Sequence, residues 1–378
     1  MTSPTSSSNI SPPTRSPAAE PASMAGIEVT GTAQRRSWES VGLPEVERVR
    51  PGLWSVPVPL PNNPLRYVLV YLLELDAGVA VIDTGWSTDE AWNTLVAGMA
   101  VAGYAPADVQ AILITHIHPD HYGLAGRLRE ASGAWVGLHP ADAALIPARY
   151  GLGIDDLLAN MDALLIDAGV PDEVRTELTI ASMGIRELVA ATEPDVLFED
   201  RVRVPLPGWD LVTLHTPGHS PGHVCFHDRH GRLLFSGDHV LPRISPSVAL
   251  HVQQPINPLA DFLDALRGVR DLDVDEVLPA HEWRFRGLDA RVDELLDHHR
   301  RRLEETHQAI SETPGLTCWE TTLRMRWSRD WSQIVGYMRR AAVGETLAHL
   351  VLLESSGRAR RDQERPVHWY PAGDSSGG

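Results

Sequence analysis

Residues 115–121, which read THIHPDH, constrain this chain most, because they place three histidines and an aspartate within six positions. The apolar run AILIT leads directly into them and predicts a buried β-strand. Side chains that follow a strand are presented together at one edge of a sheet. Imidazole and carboxylate groups are ligands that zinc accepts readily. The stretch therefore predicts that His116, His118, Asp120 and His121 bind metal at a strand end.

Three later segments repeat the same scheme of a short apolar strand, a turn and a possible ligand. DLVTL precedes LHTPGHSPGH, which supplies His219, while LLFSGDHV supplies Asp238 and DEVLPAHEW supplies His281. Each residue alone has a structural alternative, since Asp238 could cap a helix and His281 could be a buried histidine at a strand end. Together and in this order they favour a metal site at the strand ends of an α/β protein.

In these motifs the chain resembles the metallo-β-lactamase superfamily of metallohydrolases. The HxHxDH pattern at residues 116–121 and the later His, Asp and His motifs occur in the order of that family. VIDTG at residues 81–85 matches the upstream aspartate motif. The resemblance covers residues 51–299 and implies an α/β fold, the αββα sandwich of the family.

The resemblance also implies two bound zinc ions, with iron or manganese as alternatives. The implied ligands are His116, His118, Asp120, His121, His219, Asp238 and His281. His116, His118 and His219 would bind the first ion; Asp120, His121 and His281 the second; Asp238 would bridge both. Asp83 would support the ligands from outside the site. Two cations about 3.5–4 Å apart can share a hydroxide, and Asp120 would be the catalytic residue that orients this nucleophile.

Five further histidines are not expected to bind metal. His223, His227 and His230 lie in a predicted β-hairpin with a DRHG turn and are expected at the surface. His239 follows the bridging aspartate and is expected to face away from the site. His251 is a candidate for lining the substrate entrance.

Glu282 departs from the pattern of the resembled family, because it follows His281 where relatives commonly have glycine. A carboxylate at this position would change the hydrogen bonding around the ligands or the preference for substrate charge.

The pattern of the chain predicts three parts. Residues 1–36 are rich in Ser, Pro and Thr and are predicted to be a disordered tail. Residues 37–295 form the predicted catalytic domain, and residues 296–372 a C-terminal domain. Within the catalytic part, helical periodicity over residues 141–196 predicts an insertion. We interpret this insertion as a lid that forms an apolar substrate tunnel; core packing or a dimer contact is the alternative.

The C-terminal part is predicted to contain two helices followed by a pair of short strands, an arrangement that resembles a winged helix. Residues 300–361 contain eleven arginines and seven acidic residues, a net charge of +4, whereas the whole chain carries −17. Such a domain could bind nucleic acid. Packing against the catalytic domain is the favoured interpretation, since the overall negative charge disfavours nucleic acid as a partner.

The chain has no apolar run long enough to predict a membrane span. Its first 25 residues lack the basic start and apolar core of a secretory signal, so we expect a cytoplasmic protein. A homodimer is compatible with the sequence.

These observations predict a hydrolase with a dinuclear metal site, in which a metal-bound hydroxide attacks acyl thioesters or related esters and lactones. The expected partner is a small acyl substrate. The alternatives are a metal-dependent endoribonuclease, a β-lactamase-type amidohydrolase and a metal-binding regulator without catalysis.

Overall fold

The computed structural model describes residues 26–151 and 153–373. Its strands and helices are numbered along the chain. The first of two large sheets has seven strands, which are neighbours in chain order. Strands β2 to β5 are antiparallel and strands β5 to β8 are parallel. They are β2 (Glu47–Arg50), β3 (Leu53–Pro59), β4 (Tyr67–Glu74), β5 (Val79–Ile82), β6 (Val109–Leu113), β7 (Trp135–Leu138) and β8 (Val196–Leu197).

The second sheet has six strands, of which β11 and β12 are parallel and the other neighbours antiparallel. In spatial order they are β1 (Glu28–Val29), β13 (Phe285–Arg286), β12 (Glu276–Pro279), β11 (Leu233–Gly237), β10 (Val224–Asp228) and β9 (Leu211–His215).

The two sheets pack face to face, with helices on both outer faces. Alternate residues of β4 enter different cores: Tyr71 meets Phe235 of the second sheet at a ring distance of 5.3 Å, while Val70 faces the outer helices. Helices α2 (Asp89–Ala102) and α4 (Ala125–Ser132) cover the first sheet, and α9 (Pro258–Arg270) and α10 (Leu288–Glu312) the second. Strands β4 and β5 are covered on both faces, and their sequences are accordingly almost entirely apolar. The predicted αββα sandwich is confirmed.

Helices occupy the segment between β7 and β8, where the periodicity predicts an insertion. Residues Met161, Leu165 and Leu178 of this segment share a core with Trp319 and Val343 of the C-terminal part. The segment is therefore attached to the C-terminal helices. It comprises α5 (Pro140–Ala143), α6 (Ile146–Tyr150), α7 (Ile154–Asp167), α8 (Asp172–Ile180) and a 3₁₀ turn at Met183–Leu188.

The C-terminal part differs from its prediction in two respects. Helix α10 is continuous from Leu288 to Glu312, so the predicted boundary between residues 295 and 296 lies inside one helix. The predicted strand pair is a three-stranded antiparallel sheet, because Leu316 also pairs with Trp369. Its elements are β14 (Leu316–Thr317), α11 (Cys318–Arg324), a 3₁₀ turn at Trp331–Gln333, α12 (Gly336–Ser355), β15 (Ala359–Arg361) and β16 (His368–Pro371).

The predicted disordered tail of residues 1–36 was wrong for residues 26–36, which include β1 and most of α1 (Thr32–Glu39). The reason is a specific polar contact that composition does not reveal. The buried amide of Gln34 donates to Ser55 Oγ at 3.1 Å and accepts from the backbone nitrogen of Arg284 at 3.0 Å. Residues 1–25, the rest of the predicted tail, lie outside the described residues.

The remaining elements are α3 (Pro119–Tyr122) and a 3₁₀ turn at Pro106–Asp108. Within the described ranges, none of the helices combines the length and the apolar character needed to cross a bilayer.

Candidate metal centre

Parallel strand pairs bring the predicted ligands to one edge of the sandwich. Strands β5 and β6 are parallel, so Asp83 and the segment that begins at Thr115 emerge side by side. Asp83 Oδ1 accepts from the backbone nitrogen of Thr115 at 2.9 Å, and Asp83 holds a left-handed φ of 59°, which aspartate tolerates better than most residues. Strands β11 and β12 are also parallel and end just before Asp238 and His281.

Three imidazole rings form the first half of the site. His116 Nε2 lies 3.0 Å from His118 Nδ1, which lies 2.9 Å from His219 Nε2. Two nitrogens that bind one tetrahedral zinc ion at about 2.0–2.1 Å lie about 3.3 Å apart. The three nitrogens are therefore spaced like ligands of one ion, and ligand atoms of all three residues lie within 4.8 Å of one another.

Asp120, His121 and His281 form the second half. Asp120 Oδ2 lies 3.4 Å from His281 Nε2 and 3.7 Å from His121 Nε2. Both rings are fully buried. This half offers a mixed nitrogen and oxygen ligand set.

Asp238 lies between the two halves and turns one carboxylate oxygen to each. Its Oδ2 is 3.4 Å from His219 Nε2, whereas its Oδ1 is 3.3 Å from His281 Nε2 and 3.6 Å from His121 Nε2. The structure thus brings all seven predicted ligands into one cluster, with Asp238 between its two halves.

Outer contacts aim the rings into the site. For four of the histidines, one nitrogen is held by a group outside the cluster, which fixes the ring and leaves the other nitrogen for a metal. His121 Nδ1 lies 2.8 Å from Asp83 Oδ2, and His281 Nδ1 lies 2.8 Å from the Tyr67 carbonyl. His219 Nδ1 lies 2.8 Å from the Ser247 carbonyl, and His116 Nδ1 lies 3.1 Å from Thr115 Oγ1.

The two halves differ in their electrostatics. Burial, followed by the charge of neighbouring histidines, holds the pKa of His116 and His118 well below the usual range. Burial also opposes protonation of His121, but Asp83, Asp120 and Asp238 outweigh it and raise that pKa well above the usual value. The first half thus holds neutral imidazoles, the form that binds metal, while the second has an excess of negative charge that a cation can compensate.

Buried polar atoms without hydrogen-bond partners indicate that the cluster can hold metal ions. Among the described residues, His121 Nε2, His281 Nε2 and Asp238 Oδ1 are buried without a hydrogen-bond partner. Buried polar atoms without a partner are costly. All three point into the same space, where a cation would satisfy them.

Asp142 is a supporting residue that the sequence interpretation missed. Its Oδ2 accepts from the Ile117 nitrogen and from Ser220 Oγ, both at 2.8 Å, and its Oδ1 accepts from the Gly222 nitrogen at 2.7 Å. One buried carboxylate therefore joins the loop of His116 and His118 to the loop of His219. Only its position directly after the strand and turn WVGLHP offered a signal.

The prediction that His223, His227 and His230 lie at the surface was wrong for His223 and His227, which are buried; His230 is exposed. His223 Nε2 accepts from the backbone nitrogen of Asp238 at 3.0 Å and so positions the bridging residue. A hairpin covered on both faces buries such side chains. His239 packs edge-on against Phe262 at 5.0 Å, outside the ligand cluster.

A cavity of about 400 Å³ opens at the cluster and runs along the helical segment. His118, Asp120, His219 and Asp238 line its inner end, and His251 lines it as predicted for the entrance. The apolar wall includes Leu157, Leu158, Met161, Leu165, Leu250 and Val343.

Glu282 is turned away from the cavity. Its fully buried carboxylate accepts from Arg243 Nε at 2.9 Å and from the backbone nitrogens of Arg243 and Ile244 at 3.1 and 3.3 Å. It therefore anchors the loop that carries the cavity residues Leu241 and Ile244, and its charge is already compensated.

An αββα sandwich with a His and Asp cluster at its strand ends defines the chain as a metal-dependent hydrolase. The family model of the metallo-beta-lactamase superfamily matches residues 63–281, and the chain belongs to this superfamily.

Among its relatives, the probable metallo-hydrolase YqjP of Bacillus subtilis is 28% identical over 257 residues, which cover 65% of this chain and 77% of YqjP. The human acyl-coenzyme A thioesterase MBLAC2 is 31% identical over only 97 residues, which cover 25% of this chain and 33% of that protein.

Two solved structures share the fold over most of the chain. A metallo-beta-lactamase family protein from Thermus thermophilus has a TM-score of 0.75 and 32% identity, with coverage of 86% of this chain and 100% of that one. A beta-lactamase domain protein from Burkholderia ambifaria has a TM-score of 0.73 and 26% identity, with coverage of 93% and 99%.

Proposed function

We propose that this metallohydrolase holds two divalent metal ions and hydrolyses acyl thioesters or related esters and lactones in the cavity. The observation that carries the proposal is Asp238, whose two carboxylate oxygens face the two halves of the cluster. A carboxylate in that position serves two cations at once. The seven predicted ligands would be divided between the ions as the family resemblance implies.

When bound, two such cations supply Lewis acidity and lower the pKa of a water. The chain contributes orientation around them. Asp120 lines the cavity, where its carboxylate can accept a hydrogen bond from the attacking water and direct it at the acyl carbon. Asp142 and His223 hold the ligand loops fixed, so that little reorganisation is needed when charge develops in the transition state.

The apolar wall supports an acyl substrate. Leucine and methionine side chains from α7 extend from the cluster towards the C-terminal helices, and they can bury a hydrocarbon chain while the carbonyl group stays at the metals. The partial similarity to an acyl-coenzyme A thioesterase points to the same substrate class.

The nuclease alternative has less support, because the basic residues of the C-terminal sheet are already engaged. Arg358 forms two contacts with Glu304, at 2.9 and 2.8 Å, and Arg361 lies 3.3 Å from Glu354. Arg360 stacks over Tyr370 at 4.5 Å. A polyanion would have to displace these partners.

One screen tests the proposal. The zinc-loaded protein is assayed with an acyl thioester, a lactone, a β-lactam and single-stranded RNA at physiological salt. We expect thioester or lactone hydrolysis with kcat/KM above roughly 10⁴ M⁻¹ s⁻¹, abolished by a chelator and restored by metal. Efficient RNA cleavage without acyl hydrolysis would establish the nuclease instead.

A further inference from the structure

Three arginines, Arg149, Arg186 and Arg340, line the cavity without a carboxylate partner among the described residues. Arg149 of α6 and Arg340 of α12 both line it and are half-buried. Within the described part of the chain, neither forms an ion pair, although the sequence has 50 acidic and only 33 basic residues. Some arginines that are buried or half-buried elsewhere pair with acids, as Arg243 does with Glu282 and Arg284 with Glu276. Arg149 and Arg340 share one cavity without such a partner.

The protein provides hydrogen-bond acceptors for only some of the nitrogens of each guanidinium group. Arg149 donates from Nε to Gln253 Oε1 at 2.9 Å. Arg340 donates one hydrogen bond to the Leu178 carbonyl at 3.3 Å and lies over the Tyr337 ring at 5.3 Å. The terminal nitrogens of Arg149 have no acceptor among the described residues. A partly buried cation is costly unless it is paired, so an external anion would stabilise this arrangement.

The two positive charges act on the same space. His251 also lines the cavity, and its pKa is lowered to about 3 by burial first and then by Arg149 and Arg340. Arg186 adds a third cavity-lining guanidinium group, which donates to the Gly151 carbonyl at 2.6 Å. The carboxylates that line the cavity, Asp120 and Asp238, belong to the metal cluster. Apart from the predicted metal ligands, the charged side chains found to line the cavity among the described residues are therefore all positive, in a chain of net charge −17.

Arg149 lines the same cavity as the predicted metal ligands His118 and Asp120. The neighbouring Tyr150 donates from its hydroxyl to the Ile117 carbonyl at 2.8 Å, between the ligands His116 and His118. Arg340 approaches from α12, on the C-terminal side of the cavity. An anionic group bound by both residues would lie in the cavity that also contains the apolar wall and four of the predicted metal ligands.

We propose that Arg149 and Arg340 bind an anionic group of the substrate, a carboxylate or a phosphate, while the apolar wall binds its acyl chain. The inference rests on the proposed function for the reaction and adds the substrate class, an anionic thioester or ester. Guanidinium groups suit this role because they bind carboxylate and phosphate oxygens in a bidentate manner. The anion can belong to the acyl chain or to the thiol carrier.

In the structural alternative, Arg340 stabilises the last turn of α8, because a cation near the C-terminal carbonyl groups of a helix is favourable. Replacing Arg340 would then lower thermal stability and leave substrate preference unchanged. Arg339 is a matched control. It is half-buried on the same helix, donates to the Ile334 carbonyl at 2.8 Å, stacks on Trp331 and does not line the cavity.

The experiment compares three thioesters on the metal-loaded protein. Octanoyl-pantetheine is neutral, suberoyl-pantetheine carries a carboxylate on the acyl side, and octanoyl-phosphopantetheine carries a phosphate on the thiol side. We expect the parent to prefer one anionic substrate by about 10-fold or more in kcat/KM, the effect of one charged hydrogen bond. Which one it prefers identifies the source of the anion.

The double variant R149Q/R340Q should lose this preference while hydrolysis of the neutral thioester changes by less than about 3-fold. R149K/R340K should retain part of the preference, and R339Q all of it. A parent without a preference, or a double variant that keeps it, overturns the inference.

Thioether analogues of the same three compounds separate the inference from the reaction, since they cannot be hydrolysed. Calorimetry should show tighter binding of an anionic analogue to the parent than to R149Q/R340Q. If no thioester is hydrolysed but this difference is found, the proposed reaction fails and the anion site stands. If the analogues bind equally, the anion site fails whatever the activity.

Discussion

Asp83 acts on the metal site without pointing into it. Its Oδ2 binds His121 Nδ1 at 2.8 Å, and Thr115 donates to the same carboxylate from its nitrogen and its hydroxyl. The carboxylate therefore fixes the tautomer and the orientation of His121 and ties the metal-binding loop to β5.

Replacing Asp83 by Asn should weaken metal binding without removing a predicted ligand. Asparagine tolerates the left-handed backbone at this position, but it keeps an acceptor at only one of the two oxygen positions that the Thr115 nitrogen and His121 contact. We expect metal affinity to fall by roughly 10–100-fold with little change in thermal stability of the metal-loaded protein. A chelator competition titration measures the affinity, and Asp108→Asn in an exposed turn is the control. Unchanged metal affinity would show that Asp83 does not support metal binding.

At the residue scale, the sequence predicts the ligands well because they lie in compact motifs at strand ends. It does not reveal Asp142, whose three hydrogen bonds reach residues 25 to 80 positions away. It also misplaces His223, since burial of a hairpin depends on which helices cover it. Contacts between distant segments are set by the fold and leave no local pattern.

At the scale of elements, α7 supplies one wall of the cavity. Leu157 and Leu158 are half-buried and line it, while Ile166 of the same helix does not. Helix α7 also packs on the C-terminal helices through Leu165. The lid and core interpretations of the sequence are therefore compatible, because Met161 and Leu165 belong to the shared core and also line the cavity.

Shortening the two leucines tests the substrate wall. In Leu157→Ala/Leu158→Ala, KM for a twelve-carbon acyl thioester should rise about 5-fold or more, because the long chain loses apolar contact area. KM for a four-carbon thioester should change by less than about 2-fold. Ile166→Ala is the control on the same helix. Equal effects on both substrates would leave α7 with a structural role alone.

The sequence predicts most strands and helices correctly because their apolar periodicity is strong. The pattern STDEAW predicts a helix capped by Ser87 or Thr88, and α2 (Asp89–Ala102) has Thr88 as its cap. The sequence does not predict short strands that form only by pairing with another strand. Strand β14 has two residues and exists through its pairing with β16, and β1 likewise depends on β13.

At the scale of the whole molecule, the C-terminal helices and the helical segment share one core beside the sandwich. This core closes the far end of the cavity through Val343 and Arg340. The sequence predicts that the C-terminal part packs on the catalytic part. Charge patterning, however, cannot show that one arginine of the net positive C-terminal part is directed at the substrate.

Metal analysis of the zinc-loaded protein measures whether the cluster of seven ligands holds two metal ions. The parent should hold about two ions per chain. Asp238→Ala removes both oxygens that face the two halves, so it should lose at least one ion and about 100-fold or more in kcat. Asp264→Ala, at an exposed position of α9, should keep both ions. A folded parent that binds no metal, or an Asp238→Ala variant that keeps two ions and full activity, would show that this cluster is not a dinuclear metal site.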